Sequence, residues 1–206
     1  MAATPSGTPQ NATGALPLNS LLHGRYQVLQ YVADGGMGAV YRGQDTKRGR
    51  PVAIKELKQS RFTTDEQKER VRLFEFEANI LQSLQHPNLP HVWDYFDEGG
   101  RYYLVMDFVD GETLKQRQQA VGGGPLPEAE VLDWARQLCN VLTYLHSQTP
   151  PVIFRDLKPD NVMLTKQGQI KLIDFGIARL FKDGKQLDTE PLGTDGYAPP
   201  EQYGKG

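Results

Sequence analysis

At 206 residues the chain is long enough for one domain, or for two closely coupled lobes around a shared core, and too short for two large independent domains. Its 23 Lys and Arg against 25 Asp and Glu give a formal net charge of -2, which excludes a broad basic surface for nucleic acid or anionic lipid and makes any charge recognition local. The single cysteine, Cys139, excludes an intrachain disulfide framework, no Cys/His cluster offers a zinc site, and no apolar run reaches the length of a membrane span. A reducing, cytoplasmic setting suits this composition.

Residues 1–24 are rich in Ala, Thr, Pro, Gly, Asn and Ser, with little to bury, and are expected to form a flexible leader before a folded region over 25–206. Runs rich in Val, Tyr and Ile over 25–32, 39–44 and 51–57, broken by glycines, predict three antiparallel strands. Two overlapping capping boxes at Thr63-Thr64-Asp65-Glu66-Gln67, followed by Leu73, Phe74, Ile80, Leu81 and Leu84, predict an amphipathic helix. Strands over 91–96 and 102–108, joined at Glu98-Gly99-Gly100, complete an expected first lobe over about 25–108: a five-stranded sheet and one helix. Beyond Asp110-Gly111, a stripe of Val131, Ala135, Leu138, Leu142 and Leu145 predicts a buried helix over 127–146. Cys139, beside that stripe and without a signalled His or Asp partner, reads as a core thiol.

The glycine-rich turn Ala33-Asp34-Gly35-Gly36-Met37-Gly38-Ala39-Val40 exposes backbone N–H groups that can approach phosphate oxygens without Cβ interference. Taken alone, an ordinary tight hairpin explains it as well or better. A dinucleotide fold is excluded, because strand rather than helix follows the glycines. In Val52-Ala53-Ile54-Lys55, two-residue alternation puts Lys55 on the face of Ala53 and Leu57. Glu77 projects from the apolar stripe of the first helix, between Leu73 and Phe74 on one side and Ile80 and Leu81 on the other. A carboxylate there needs a cation, and Lys55 is the candidate; the pair would hold an ammonium over a nucleotide's phosphates.

The densest stretch is Phe154-Arg155-Asp156-Leu157-Lys158-Pro159-Asp160-Asn161, followed by residues 162–165, a turn at Lys166-Gln167-Gly168, and residues 169–173 ending at Asp174-Phe175-Gly176. The pattern predicts a hairpin whose open end brings Asn161 and Asp174 together. These are two hard oxygen donors, suited to magnesium on a phosphate chain. Asp156, on the same loop, is placed to accept a hydroxyl proton, and Lys158 supplies positive charge for a transferring group.

This ordered set resembles the bacterial, eukaryotic-type (Hanks-type) serine/threonine protein kinases over residues 25–201. The resemblance implies an α+β, bilobal kinase-like fold with a mostly helical second lobe over about 109–206, incomplete here. It implies ATP and Mg2+ as cofactors and serine or threonine hydroxyls of proteins as acceptors. By resemblance Asp156 is the catalytic base, Lys158 meets the γ-phosphate, and Asn161 and Asp174 hold the metal. Lys55 pairs with the α/β-phosphates and Glu77. Val32, Ala33, Asp34, Gly35, Gly36, Met37, Gly38 and Ala39 cover the nucleotide. Val40, Ala53 and Met163 sandwich adenine against the backbone of Asp107 and Val109, where side-chain identity should matter little, behind the gatekeeper Met106. Leu81, Val92, Phe154 and Phe175 would stack between the lobes. Small-molecule kinases of the aminoglycoside and choline type are disfavoured by Asp156-Leu157-Lys158-Pro159 and by the segment from Gly193-Thr194 to Pro200-Glu201.

Three departures stand out. Ala33 replaces the first loop glycine, Phe154 replaces the histidine before Arg155-Asp156, and the chain stops five residues after Glu201, where the family has further helices and an arginine partner for that glutamate. The reading is therefore of a shortened chain, with a catalytically impaired nucleotide-binding or scaffolding fragment as the alternative. Arg155 suggests control by phosphorylation in the activation segment, with Thr189 as first candidate. Thr194 is expected to touch Asp156 and Lys158.

Overall fold

Tyr26 and Val28 alternate with Gln27, and Val52 and Ile54 with Ala53 and Lys55, the period of a sheet with two distinct faces. The computed structural model describes residues 16–35, 38–57, 78–174, 179–180, 194 and 196–198, and the strands up to Asp107 form one antiparallel sheet. Its strands are β1 (Leu21–Leu22), β2 (Tyr26–Gly35), β3 (Gly38–Asp45), β4 (Arg50–Leu57), β5 (Val92–Glu98) and β6 (Arg101–Asp107), in the order β1-β2-β3-β4-β6-β5. The five expected strands are all present, and β1 is a sixth. It comes from the stretch read as a leader. Within that stretch Leu21 and Leu22 pair with Gln27 and Tyr26, and Leu22 is only 6% exposed. Residues 1–15 lie outside the described residues.

Alternation gives the sheet two cores. On one face Tyr26, Val28, Tyr41, Val52, Ile54, Phe96, Tyr103 and Val105 pack with Leu22. On the other, Val92 and Leu104 join Ala78, Leu81, Leu84 and Leu89 from helix α1 (residues 78–83) and the loop after it. This second core continues without a break into the rest of the chain through Trp134, Val141, Leu145, Phe154, Val162, Ile170 and Leu172. One apolar body thus couples the sheet to the loop between Phe154 and Val162. Phe154 is 2% exposed within it, so the aromatic ring that replaces a histidine is anchored by burial. The predicted first half of the α1 region, including Glu77, lies outside the described residues.

Beyond β6 come β7 (Gly111–Thr113), α2 (Leu114–Ala120), α3 (Glu128–His146), β8 (Val152–Ile153), a 3-10 turn (Pro159–Asn161), β9 (Val162–Thr165), β10 (Ile170–Leu172) and β11 (Arg179–Leu180). Strand β9 pairs with both β10 and β7, and β8 pairs with β11. Gly111 is required in β7, because a Cβ there would stand 2.1 Å from the Leu164 carbonyl oxygen. Helix α2 carries a reciprocal capping box between Thr113 and Gln116. In α3, Glu128 and Glu130 stand in the first turn, where their charges complement the helix dipole.

Two expectations for α3 are corrected. The buried residues are Trp134, Val141 and Leu145, whereas Val131 is 42% and Leu132 56% exposed. Of the expected stripe, Leu145 is buried and Leu138 and Leu142 pack against the core. Its N-terminal part, Val131 and Ala135, is exposed, and Trp134, the largest side chain of the helix, takes the core there. Cys139 faces outward and is an exposed thiol, not a core one.

Asp45, fully buried, ends β3 between its partners Tyr26 and Arg50. It accepts from Arg25 Nε and Nη2 at 2.9 and 2.7 Å and from the Lys47 and Arg48 amides, both at 3.2 Å. The Arg25 guanidinium holds its carboxyl at about 2, below the ordinary 3.8. A depressed folded-state pKa stabilises the fold fully above the ordinary value, and the contribution fades as pH falls through the depressed one. Asp45→Asn is expected to cost about 2–3 kcal/mol at neutral pH and to flatten the acid limb of stability between about pH 4 and pH 2, as read from denaturant midpoints across that range.

Candidate functional site

The loop between β8 and β9 is shaped by its backbone. The Asp156 amide donates to the Phe154 carbonyl at 2.8 Å and the Asn161 amide to the Lys158 carbonyl at 2.9 Å. Arg155, between them, takes a left-handed conformation at φ 61°, costing roughly 1 kcal/mol for a non-glycine residue. Pro159 starts the 3-10 turn at a position where its missing N–H is no loss.

Three side chains meet around Asp156. Lys158 Nζ lies 2.7 Å from Oδ2, Asn161 Nδ2 donates to Oδ2 at 2.9 Å and to the Asp156 carbonyl at 2.8 Å, and Thr194 Oγ1 donates to Oδ1 at 2.8 Å. Lys158 Nζ also donates to Thr194 Oγ1 at 2.7 Å. Thr194 is thus where the sequence places it, touching both residues. Burial pushes the Asp156 carboxyl up, but the hydrogen bonds from Lys158, Thr194 and Asn161 outweigh it and hold the group below the usual carboxylate range. Asp156 is an ionised acceptor, fixed in orientation.

The hairpin ends beside it. Val162–Thr165 pairs with Ile170–Leu172, one arm of four residues against three, shorter than the expected five. The Ile173 amide donates to the Asn161 carbonyl at 2.8 Å, which draws residue 174 to the end of the loop that carries Asn161. Asp174 is left-handed, at φ 64°, and its carboxylate Oδ1 accepts from Lys55 Nζ. Lys55 comes from β4, 119 residues earlier in the chain. The partner expected for Lys55, Glu77, lies outside the described residues, as do Gly36, Met37, Phe175, Thr189 and Glu201.

With Asn161 Nδ2 directed to Asp156, its amide oxygen turns away from that carboxylate, and the Ile173–Asn161 backbone hydrogen bond brings the exposed Asp174 carboxylate to the same end of the hairpin. Both are hard donors, the kind a magnesium ion takes. Among the described residues no group of three His, Cys, Asp or Glu is placed to hold a metal, so an ion between these two would need phosphate oxygens to complete its shell. On the sheet side, Val32 and Ala33 are exposed on β2, while Val40, Ala53, Met106 and Met163 are half-buried. Ala53 pairs with Met106 across β4 and β6. Gly38 pairs with Gly35 at the tip of the β2–β3 hairpin, and Ala39 with Asp34. Asp107, which ends β6, and Val109, in the connector after it, are half-buried as well.

Some of the site's supports were not read from the sequence. The Asp107 side chain, expected to matter little, accepts from Trp93 Nε1 at 2.7 Å and the His91 amide at 3.0 Å and locks β5 to the connector. Asn88, 5% exposed, donates to the Ile170 carbonyl at 2.8 Å and to Gln137 Oε1 at 2.9 Å, and its own carbonyl accepts from the Leu172 amide. It pins the strand that leads to Asp174. Lys115 of α2 reaches Asp160 at 2.9 Å; the capping signal at Thr113 is the sequence feature that could have revealed α2.

Comparison with known proteins follows from this geometry. The family described as protein kinase domain matches residues 26–205. The serine/threonine-protein kinase PrkC of Bacillus subtilis is 37% identical over 182 residues, covering 88% of this chain and 27% of that protein. The serine/threonine-protein kinase Nek1 of Mus musculus is 35% identical, covering 86% of this chain and 14% of that protein. The serine/threonine-protein kinase PknA of Mycobacterium tuberculosis is 37% identical, covering 88% of this chain and 42% of that protein. The chain therefore spans well under half the length of these curated relatives. Among solved structures, the apo form of PpkA-294 superposes with a TM-score of 0.70 at 26% identity, covering 79% of this chain and 62% of that one.

Because Lys158 is among the groups that lower the Asp156 pKa, Lys158→Met is expected to shift the Asp156 carboxyl upward. A titration followed by carboxyl-carbon NMR reads this directly; an unchanged value would remove Lys158 from the charge balance of the site.

Proposed function

Because the chain belongs to the protein kinase domain family, we propose that it transfers the terminal phosphate of ATP to serine or threonine hydroxyls of proteins, with Mg2+ as the metal. The observation that carries this reading is the convergence of Lys158, Asn161 and Thr194 on the Asp156 carboxylate. Such a group orients an acceptor hydroxyl and takes up its proton as the bond to phosphorus forms. Lys158 then stands beside the transferring group, where its ammonium offsets developing negative charge. Lys55 serves the inner phosphates, while Asn161 and Asp174 would hold the metal, which when bound neutralises phosphate charge. Val32, Val40, Ala53 and Met163 exclude water from the base, and the backbone at Asp107 and Val109 orients it. Lys158, two residues after the base, and Thr194 favour a serine or threonine acceptor.

No helix among the described residues is long and apolar enough to cross a membrane. We assign the activity to the cytoplasm, where ATP is available and the exposed Cys139 stays reduced.

The test is phosphate transfer from labelled ATP with Mg2+ to a generic basic protein. Asp156→Ala is expected to lower turnover at least about a hundredfold, and Asp174→Ala to abolish the response to added Mg2+. Transfer that survives Asp156→Ala overturns the assignment. Tight Mg·ATP binding without any transfer by the purified chain would instead support a scaffolding role.

A further inference from the structure

We propose that residues 16–24 are a clamp on the back of the sheet that positions β4, and through it Lys55, for the nucleotide. The proposal rests on the reading of Lys55 as a phosphate-binding group. The family match begins at residue 26, so this segment lies outside the part of the chain that the shared domain accounts for.

The face of the sheet away from the proposed nucleotide site carries Tyr26, Val28, Tyr41, Val52, Ile54, Tyr103 and Val105, all buried. A face that apolar needs a cover. Leu22 is built into it and Leu16 packs against it. The backbone of the segment is fastened along its length. The Asn19 amide donates to the Val28 carbonyl at 2.7 Å, and the Val28 amide to the Ser20 carbonyl at 2.9 Å. The His23 amide donates to Glu98 Oε2 at 2.7 Å, with the imidazole 4.7 Å from the Phe96 ring.

The last fastening reaches towards the site. The Leu16 amide donates to Tyr41 Oη at 3.1 Å, Tyr41 Oη donates to Glu56 Oε2 at 3.3 Å, and Arg101 Nη1 holds Glu56 Oε1 at 3.0 Å. Glu56 follows Lys55 on β4. Neighbouring residues on a strand point to opposite faces, so fixing Glu56 on the back sets the azimuth of Lys55 on the front. Within the segment's reach are β2, β3 and β5 directly, and β4 through Glu56. Tyr41 and Leu22 act as positioning residues; neither touches a reacting group.

Two full-length variants test this. Tyr41→Phe keeps the ring in its core and removes only the hydroxyl; Leu22→Ala shortens the apolar anchor. Amide hydrogen exchange without nucleotide is expected to rise in residues 16–22 and in β4 of Tyr41→Phe, about two- to tenfold, the worth of one hydrogen bond. Mg·ATP affinity, measured by calorimetry well below the unfolding temperature, is expected to weaken by a similar factor, with the larger loss in Leu22→Ala. Lowered thermal stability with unchanged Mg·ATP affinity would reduce the segment to a structural cover and overturn the proposal. So would unchanged exchange in β4, a result that is readable whether or not nucleotide binds. Failure of the wild-type chain to bind Mg·ATP would count against the kinase reading of the site, leaving the exchange result to decide the clamp.

Discussion

A half-buried carboxylate that must stay charged is the constraint on which the rest of this structure depends. Asp156 is removed from much of its water, and it remains ionised because an ammonium, a hydroxyl and an amide are delivered to it at hydrogen-bond distance. Those groups come from the loop itself, from the following 3-10 turn and from a residue 38 positions further on. The last of them cannot be held by local structure alone. The loop keeps its shape because Phe154 at its start and Val162 at its end are both sunk in the core shared with the sheet. Apolar burial thus sets the frame, and within it polar geometry is cheap to maintain.

The same core explains how distant parts of the chain meet. Lys55 sits on a strand whose alternate residues are buried on the far face, so its direction is dictated by the pleat. Asp174 follows a strand that buries Ile170 and Leu172 in the second core, and whose backbone is stapled by Asn88 and Gln137. The two charged side chains meet between elements that are each fixed by hydrophobic contacts.

Much of this was legible in the sequence. Two-residue alternation and Gly-bearing turns locate β2 to β6, and the spacing around Lys166-Gln167-Gly168 locates the hairpin beside the loop. The position of Thr194 against Asp156 was also foreseeable, because it follows from an ordered motif. Elements whose placement depends on what lies beside them were harder to read. Leu21 and Leu22 have no pattern of their own and become a strand only because β2 offers them an edge. The α3 stripe can be drawn through Val131 and Ala135 or through Trp134 and Val141, and periodicity alone does not choose between them. The role of the Asp107 carboxylate is invisible until β5 folds back to bring Trp93 against it.

Arg155 and Asp174 both occupy the left-handed region that an L side chain enters only at a cost. Glycine at either place would relax the backbone while deleting a charge. A laboratory selection that rewarded only heat resistance or yield would therefore enrich glycine there and strip the site of both charges unnoticed, so any library built on this scaffold has to score the Lys55–Asp174 contact alongside robustness.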